Sequence, residues 1–172
     1  VCLATGEASL HAVSGVIGTF SYREEALSKV FGPRWQLLLI GDGQLARYVT
    51  QMALLLDYHV VICDPRESAG TDPLPDGVER IAMMPDEAVQ TCVKHARNVV
   101  VALTHDPKLD DMALFEALNS QAFYVGAIGS KLNSERRRER LQTLGLTPMQ
   151  VQHLHAPVGL PIGSHSAPEI AL

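Results

Sequence analysis

The stretch Leu37-Leu38-Leu39-Ile40-Gly41-Asp42-Gly43-Gln44-Leu45-Ala46 decides how the rest of the chain is read. Four consecutive aliphatic residues are the pattern of a strand buried on both faces, because a parallel sheet is covered by helices on both sides. Two glycines then interrupt the run, and Leu45, Val49, Met52 and Leu56 recur at spacings of four, three and four, which places them on one face of a helix. A glycine pair between a strand and a helix lets the backbone approach a phosphate, so G-x-G-x-x-A carries information in this context that it would lack elsewhere.

Working outward, His59-Val60-Val61-Ile62-Cys63 reads as a second strand that stops at Asp64-Pro65, since proline cannot donate to a sheet ladder. After a Pro-, Gly- and Asp-rich loop to Gly77, Glu79–Met83 reads as a third strand and Asp86–Arg97 as a helix. Asn98–Leu103 is then a fourth, strongly β-branched strand ending at Thr104-His105-Asp106. Asp106 fits a helix N-cap ahead of Pro107, with Leu109, Met112, Leu114, Phe115 and Leu118 on the buried side. Phe123-Tyr124-Val125 begins a further strand. Past the loop Gly126-Ala127-Ile128-Gly129-Ser130 comes an arginine-rich helix with Leu141 and Leu144 as apolar contacts and Gly145 as its cap. Thr147-Pro148 opens a short helix, residues 155–163 read as irregular, and a terminal helix begins near Pro168. Such alternation implies right-handed crossovers, hence an α/β chain folded as a Rossmann-like, doubly wound parallel sheet with helices on both faces.

That domain is expected over residues 35–172. Residues 1–34 read as a remnant of an upstream domain or a linker, with strand-like pieces at Val1–Ala4 and His11–Phe20 and a brief helical stretch over Glu24–Val30. A length of 172 residues suffices to bury one substantial core, and 47% hydrophobic with 19% charged residues excludes disordered and fibrous classes. Fourteen Lys and Arg against nineteen Asp and Glu give a net charge of -5, so no global basic field exists to hold nucleic acid or an anionic membrane. Cys2, Cys63 and Cys92 form no C-x-x-C pair, which argues against a disulfide framework or structural zinc and points to a cytoplasmic setting. No apolar run approaches the ~18 residues a bilayer span needs.

Three loops are candidate binding elements. Gly41 and Gly43 form the first, and Asp64, 21 residues after Gly43, stands where a carboxylate would accept ribose hydroxyls. Arg66 beside it suits a 2′-phosphate, whereas Asp42 puts a negative charge next to the expected phosphate position; a turn serving helix packing alone is the competing reading. Thr104, His105 and Asp106 lie at the carboxyl end of a central strand, the edge where open α/β sheets bind ligands, although Asp before proline is also a routine helix start. In the third loop, backbone amides at Gly126 and Gly129, the Ser130 hydroxyl and Lys131 can converge on an anion. Downstream, Glu135 and Glu139 interleave with four arginines, so Arg137 and Arg140 are expected on a solvated face while one of Arg136 and Arg138 turns toward the Gly129-Ser130 loop. His153-x-His155 lacks a third ligand at supportive spacing, so no metal site is expected, and Cys63 reads as a core residue.

Four segments carry a family resemblance: Leu38–Gly43, Asp64-Pro65-Arg66, Thr104-His105-Asp106 with Leu109-Asp110, and Tyr124–Ser130 together with His155–Gly163. They resemble the C-terminal Rossmann-like domain of the XdhC/CoxI family, accessory proteins of xanthine dehydrogenase and related molybdenum hydroxylases. The resemblance implies an assembly factor that binds molybdenum cofactor and hands it to a xanthine dehydrogenase or related apoenzyme, without turnover of a substrate and with no catalytic residue. Family members usually carry an upstream S-G-G-C segment, which residues 1–34 do not contain. Under this reading Gly41, Gly43 and Asp64 hold a nucleotide-like moiety, while His105, Asp106, Ser130 and Lys131 face the pterin or its phosphate. The alternatives are an NAD(P)-dependent oxidoreductase with His105 or Lys131 as proton donor, and a silent docking module. Open-edged N-terminal strands could pair in a homodimer.

Overall fold

Arg23-Glu24-Glu25-Ala26 turns the chain back on itself where the sequence predicts a helix. The computed structural model describes residues 1–11, 20–29, 34–66 and 73–172, which fall into two units, Val1–Pro33 and Arg34–Leu172. In the first, β1 (Phe20–Arg23) and β2 (Ala26–Lys29) pair antiparallel with Arg23 opposite Ala26. Glu24 and Glu25 take φ of 46° and 65°, the two left-handed positions a tight hairpin turn needs. That backbone excludes the helix expected over 24–30. Val1–Ala4 contributes one isolated bridge, Cys2 to Ala26, instead of a strand, and most of the strand expected over 11–20 lies outside the described residues.

The second unit runs β3 (Gln36–Ile40), α1 (Gln44–Leu55), β4 (His59–Cys63), β5 (Val78–Ile81), α2 (Pro85–Cys92), β6 (Asn98–Ala102) and α3 (Pro107–Asn119). It continues through β7 (Tyr124–Ala127), α4 (Lys131–Thr143), α5 (Pro148–Gln152), β8 (Leu154–His155) and α6 (Ala167–Ala171). The six strands are all parallel in the order β5-β4-β3-β6-β7-β8. This is the doubly wound Rossmann order, and the chain reverses direction across the sheet between β3 and β6, whose carboxyl ends therefore flank a crevice.

Alternate residues of the aliphatic runs sort to opposite faces. Leu38, Ile40, Val61, Cys63, Val100 and Ala102 pack with Ala88 and Val89 of α2, Ala113 and Leu114 of α3, and Leu141 of α4. Leu37, Leu39, Val60 and Ile62 pack with Ala46 and Ala53 of α1 on the other face. Burial on both faces is the reason these runs are continuous instead of alternating.

Three details differ from expectation. The buried stripe of α1 centres on Ala46, Thr50 and Ala53, whose small side chains let the helix approach the sheet; Leu45 and Val49 flank it and Leu56, past the helix end, is exposed. Helix α2 stops at Cys92, not Arg97, because Val93 leaves helical backbone (ψ 87°) and the buried Asn98 amide donates to His95 O at 2.8 Å, forming the turn into β6. Leu144, expected to pack, is exposed where α4 ends, and Leu146 is buried in its stead. At the amino end of the sheet Trp35 stacks edge-on against Phe123, ring centroids 4.9 Å apart, with Tyr58 at 6.2 Å. No helix among the described residues is long and apolar enough to cross a membrane.

Candidate functional site

Every element expected to bind a ligand lies at the carboxyl edge of the large sheet. Gly41 follows β3 directly, with φ +105°, and a Cβ there would meet Thr104 Cγ2 at 2.9 Å and Thr104 N at 3.3 Å. Only glycine suits both the backbone and the contact with the chain leaving β6. Gly43 is the N-cap of α1 with extended backbone, and a Cβ there would meet nothing within 4 Å. The first glycine thus serves packing and the second leaves open space.

The carboxylate at the end of β4 is already engaged. Asp64 Oδ2 accepts from Asp42 N–H at 3.0 Å and from an Arg66 terminal nitrogen at 2.5 Å, while Oδ1 accepts from Arg66 Nε at 2.8 Å and Arg66 N–H at 3.1 Å. Burial raises the Asp64 carboxyl, but the hydrogen bonds from Arg66 and Asp42 and the Arg66 charge outweigh it and hold the group below its ordinary value. Beside it, Asp42 Oδ2 accepts from Arg80 Nε at 2.7 Å, and buried Asp42 Oδ1 has no hydrogen-bond partner among the described residues. A dinucleotide ribose would have to displace Arg66 from Asp64 here, while the Asp42 carboxylate is buried and neutralised by Arg80. Beneath this loop, burial pushes the Cys63 thiol up to about 12, and it packs as a core residue.

The other side of the crevice is built differently. Thr104 N–H and Oγ1 donate to Asp110 Oδ1 at 3.2 and 2.7 Å, and Asp110 Oδ2 accepts from an Arg137 terminal nitrogen at 2.7 Å. Arg137 also donates from Nε to Asp111 Oδ1 at 3.2 Å and from its other terminal nitrogen to Ile128 O at 3.0 Å. Asp111 in turn accepts from Arg140 Nε at 2.6 Å. Arg137 is only 6% exposed, so the expectation of a solvated face fails for it, while Arg140 is exposed as expected though paired with Asp111: α4 docks on α3, and paired aspartates compensate a guanidinium that burial would otherwise strip of water. Burial raises the Asp110 carboxyl above its ordinary value, against the pull of Thr104 and Arg137.

Above this network opens a cleft of about 360 Å³ lined by Thr104, His105, Asp110, Gly129, Arg136 and Arg140, among others. His105 is exposed on its wall, and Asp106 Oδ1 caps α3 by accepting from Lys108 N–H at 2.9 Å. Gly129 borders the cleft, whereas Gly126 lies buried inside β7, where a Cβ would sit 2.8 Å from the Tyr124 ring. Ser130 is the N-cap of α4, accepting from Asn133 N–H at 3.2 Å, and Lys131 is exposed at the first helical position. Of the remaining arginines, Arg136 turns into the cleft and Arg138 donates to Ala156 O at 2.8 Å. His155 stacks on Tyr124, centroids 4.3 Å apart.

The XdhC Rossmann domain family matches residues 37–172. The chain belongs to that family. Similar proteins are the uncharacterized protein YqeB of Escherichia coli, 29% identical over 83% of this chain and 26% of that protein, and a probable xanthine dehydrogenase subunit of Bacillus subtilis. The latter is 26% identical over 81% of this chain and 41% of that protein. A crystal structure of a xanthine dehydrogenase from Bacillus halodurans superposes with a TM-score of 0.67 at 27% identity, covering 81% of this chain and 40% of that one. The chain spans less than half the length of these relatives.

Within this XdhC Rossmann domain the sequence reading overlooked Asp111, gave Asp110 no role beyond the resemblance, and missed the ion-pairing roles of Arg137 and Arg140. The available signal was Asp110-Asp111 inside an otherwise apolar helix face, facing arginines three apart on the next helix.

Proposed function

We propose that this XdhC-family chain is an accessory protein for a xanthine dehydrogenase or related molybdoenzyme, and that it carries molybdenum cofactor as cargo at the carboxyl edge of its sheet. The observation that carries this reading is the arginine-lined cleft between the end of β6 and the start of α4. A pterin phosphate needs an anion cradle beside polar groups at strand ends, and the cleft supplies both. His105, Asp106, Ser130 and Lys131 border the pterin side. Gly41, Gly43 and Asp64 would receive the nucleotide form of the cargo only after Arg66 leaves Asp64. Family membership and the similarity to a probable xanthine dehydrogenase subunit support the same partner class.

Anaerobic calorimetry of the chain with molybdenum cofactor, with NAD and NADP titrated in parallel, tests this. Saturable, stoichiometric binding of the cofactor is expected. Binding of a dinucleotide alone would replace the carrier with a redox enzyme.

A further inference from the structure

Three arginines border the cleft beside α4, and they are not equivalent. Arg137 is committed: its donors go to Asp110, Asp111 and the Ile128 carbonyl. Arg140 is held by Asp111 through Nε and one terminal nitrogen, at 2.6 and 3.2 Å, which fixes its direction while leaving its other terminal nitrogen without a partner among the described residues. Arg136 lines the same cleft, and among the described residues no hydrogen bond or ion pair engages it. The carboxylate on the wall, Asp110, has both oxygens occupied by Thr104 and Arg137. The charged residues that line the cleft are three arginines and one aspartate, Asp110, so the lining is positive in a chain whose total is -5. Local charge of the opposite sign to the whole, held by a buried scaffold, is the arrangement of an anion site rather than of a solvated helix face.

We propose, relying on the cargo reading above only for the identity of the natural ligand, that this cleft is a phosphomonoester site. Arg136 and Arg140 contact the terminal phosphate dianion, and the Gly129 side of the loop leaves room for its approach. Guanidinium forks match phosphate oxygens in pairs, which a lysine cannot do, and Arg140 is oriented by Asp111 before any ligand arrives. A volume of about 360 Å³ admits a phosphate with a small ring system attached.

Titration of the whole chain with inorganic phosphate and with pyrophosphate, followed by calorimetry at fixed ionic strength, reads the site directly. Saturable binding is expected, weakened about tenfold in Arg136→Gln, the loss of one charge-assisted contact, and unchanged in Arg34→Gln, an exposed arginine at the amino end of the sheet. Both positions are exposed, so neither substitution endangers the fold. Absence of saturable binding, equal weakening in both variants, or no change in Arg136→Gln would each overturn the proposal. The carrier reading fails separately. Molybdenum cofactor bound as tightly by Arg136→Gln as by the unaltered chain would keep the cargo and remove the phosphate site. Phosphate bound without molybdenum cofactor would keep the site and remove the cargo.

Discussion

The two loops that leave β3 and β7 share a sequence form, a strand followed by glycine and then a helix, yet their surroundings differ in sign. Around Gly41-Asp42-Gly43 the neighbours are carboxylates, and Arg66 and Arg80 neutralise them within the protein. Around Gly129-Ser130 the neighbours are guanidinium groups, and aspartates neutralise only part of them. Glycine grants access to the backbone in either place, but the charge left over decides whether an anion gains by entering. A glycine motif alone therefore identifies a geometry, and the adjacent charges identify a ligand.

The largest effect that would break this contrast is at Arg137. Arg137→Leu strands Asp110 in the interior and leaves Asp111 to Arg140 alone, and urea unfolding at neutral pH should show a loss of about 3–5 kcal/mol; a loss under about 1 kcal/mol would mean that Asp110 finds another partner. Next comes Gly41→Ala, which combines left-handed backbone with a Cβ 2.9 Å from Thr104. A cost of about 2–4 kcal/mol is expected in the same assay.

A third, smaller difference is one of pH. The Asp64 carboxyl is lowered in the folded state, so its contribution is present above the unfolded value near about 4 and fades as pH falls through the folded value. The stability gap between the unaltered chain and Asp64→Asn should accordingly narrow on acidification. Asp110 is raised, so its contribution is fullest below that same unfolded value and declines as pH rises through the folded one. For Asp110→Asn the gap should widen on acidification. Unfolding curves between pH 3 and pH 7 distinguish the two trends, and parallel gaps would erase the proposed difference. Smallest of all, Gly43→Ala should change stability by no more than about 1 kcal/mol, since the added methyl meets open space and only the N-cap preference shifts.

What could be read from the sequence follows the range of the interactions concerned. Five strands of the large sheet, the placement of Gly41 and Asp64, and the Asp106 cap are local or follow from βαβ regularity, and each is found at or near its expected position, whereas the two-residue β8 at Leu154–His155, where an irregular stretch was expected to begin, is too short to show in the pattern. The hairpin at Glu24-Glu25 was hidden because glutamate is an unusual occupant of two consecutive left-handed positions. Arg137 was hidden for a different reason. Its glutamate neighbours along α4 predict a solvated helix, whereas its true partners, Asp110 and Asp111, lie 27 and 26 residues away on α3 and are met only through docking of the two helices. Likewise Arg66, expected to await a 2′-phosphate, closes on Asp64 two residues before it, a pairing the sequence permits but does not require.

Trp35, the chain's single tryptophan, has a practical consequence. Its ring is sandwiched near Tyr58 and Phe123 at the amino ends of strands whose carboxyl ends, about 16 Å away at strand rise, carry the glycine loops. Its fluorescence is thus a built-in optical reporter of loss of the sheet, so that unfolding curves can be recorded on the unlabelled chain, and a ligand in the cleft is too far away to touch the ring that reports them.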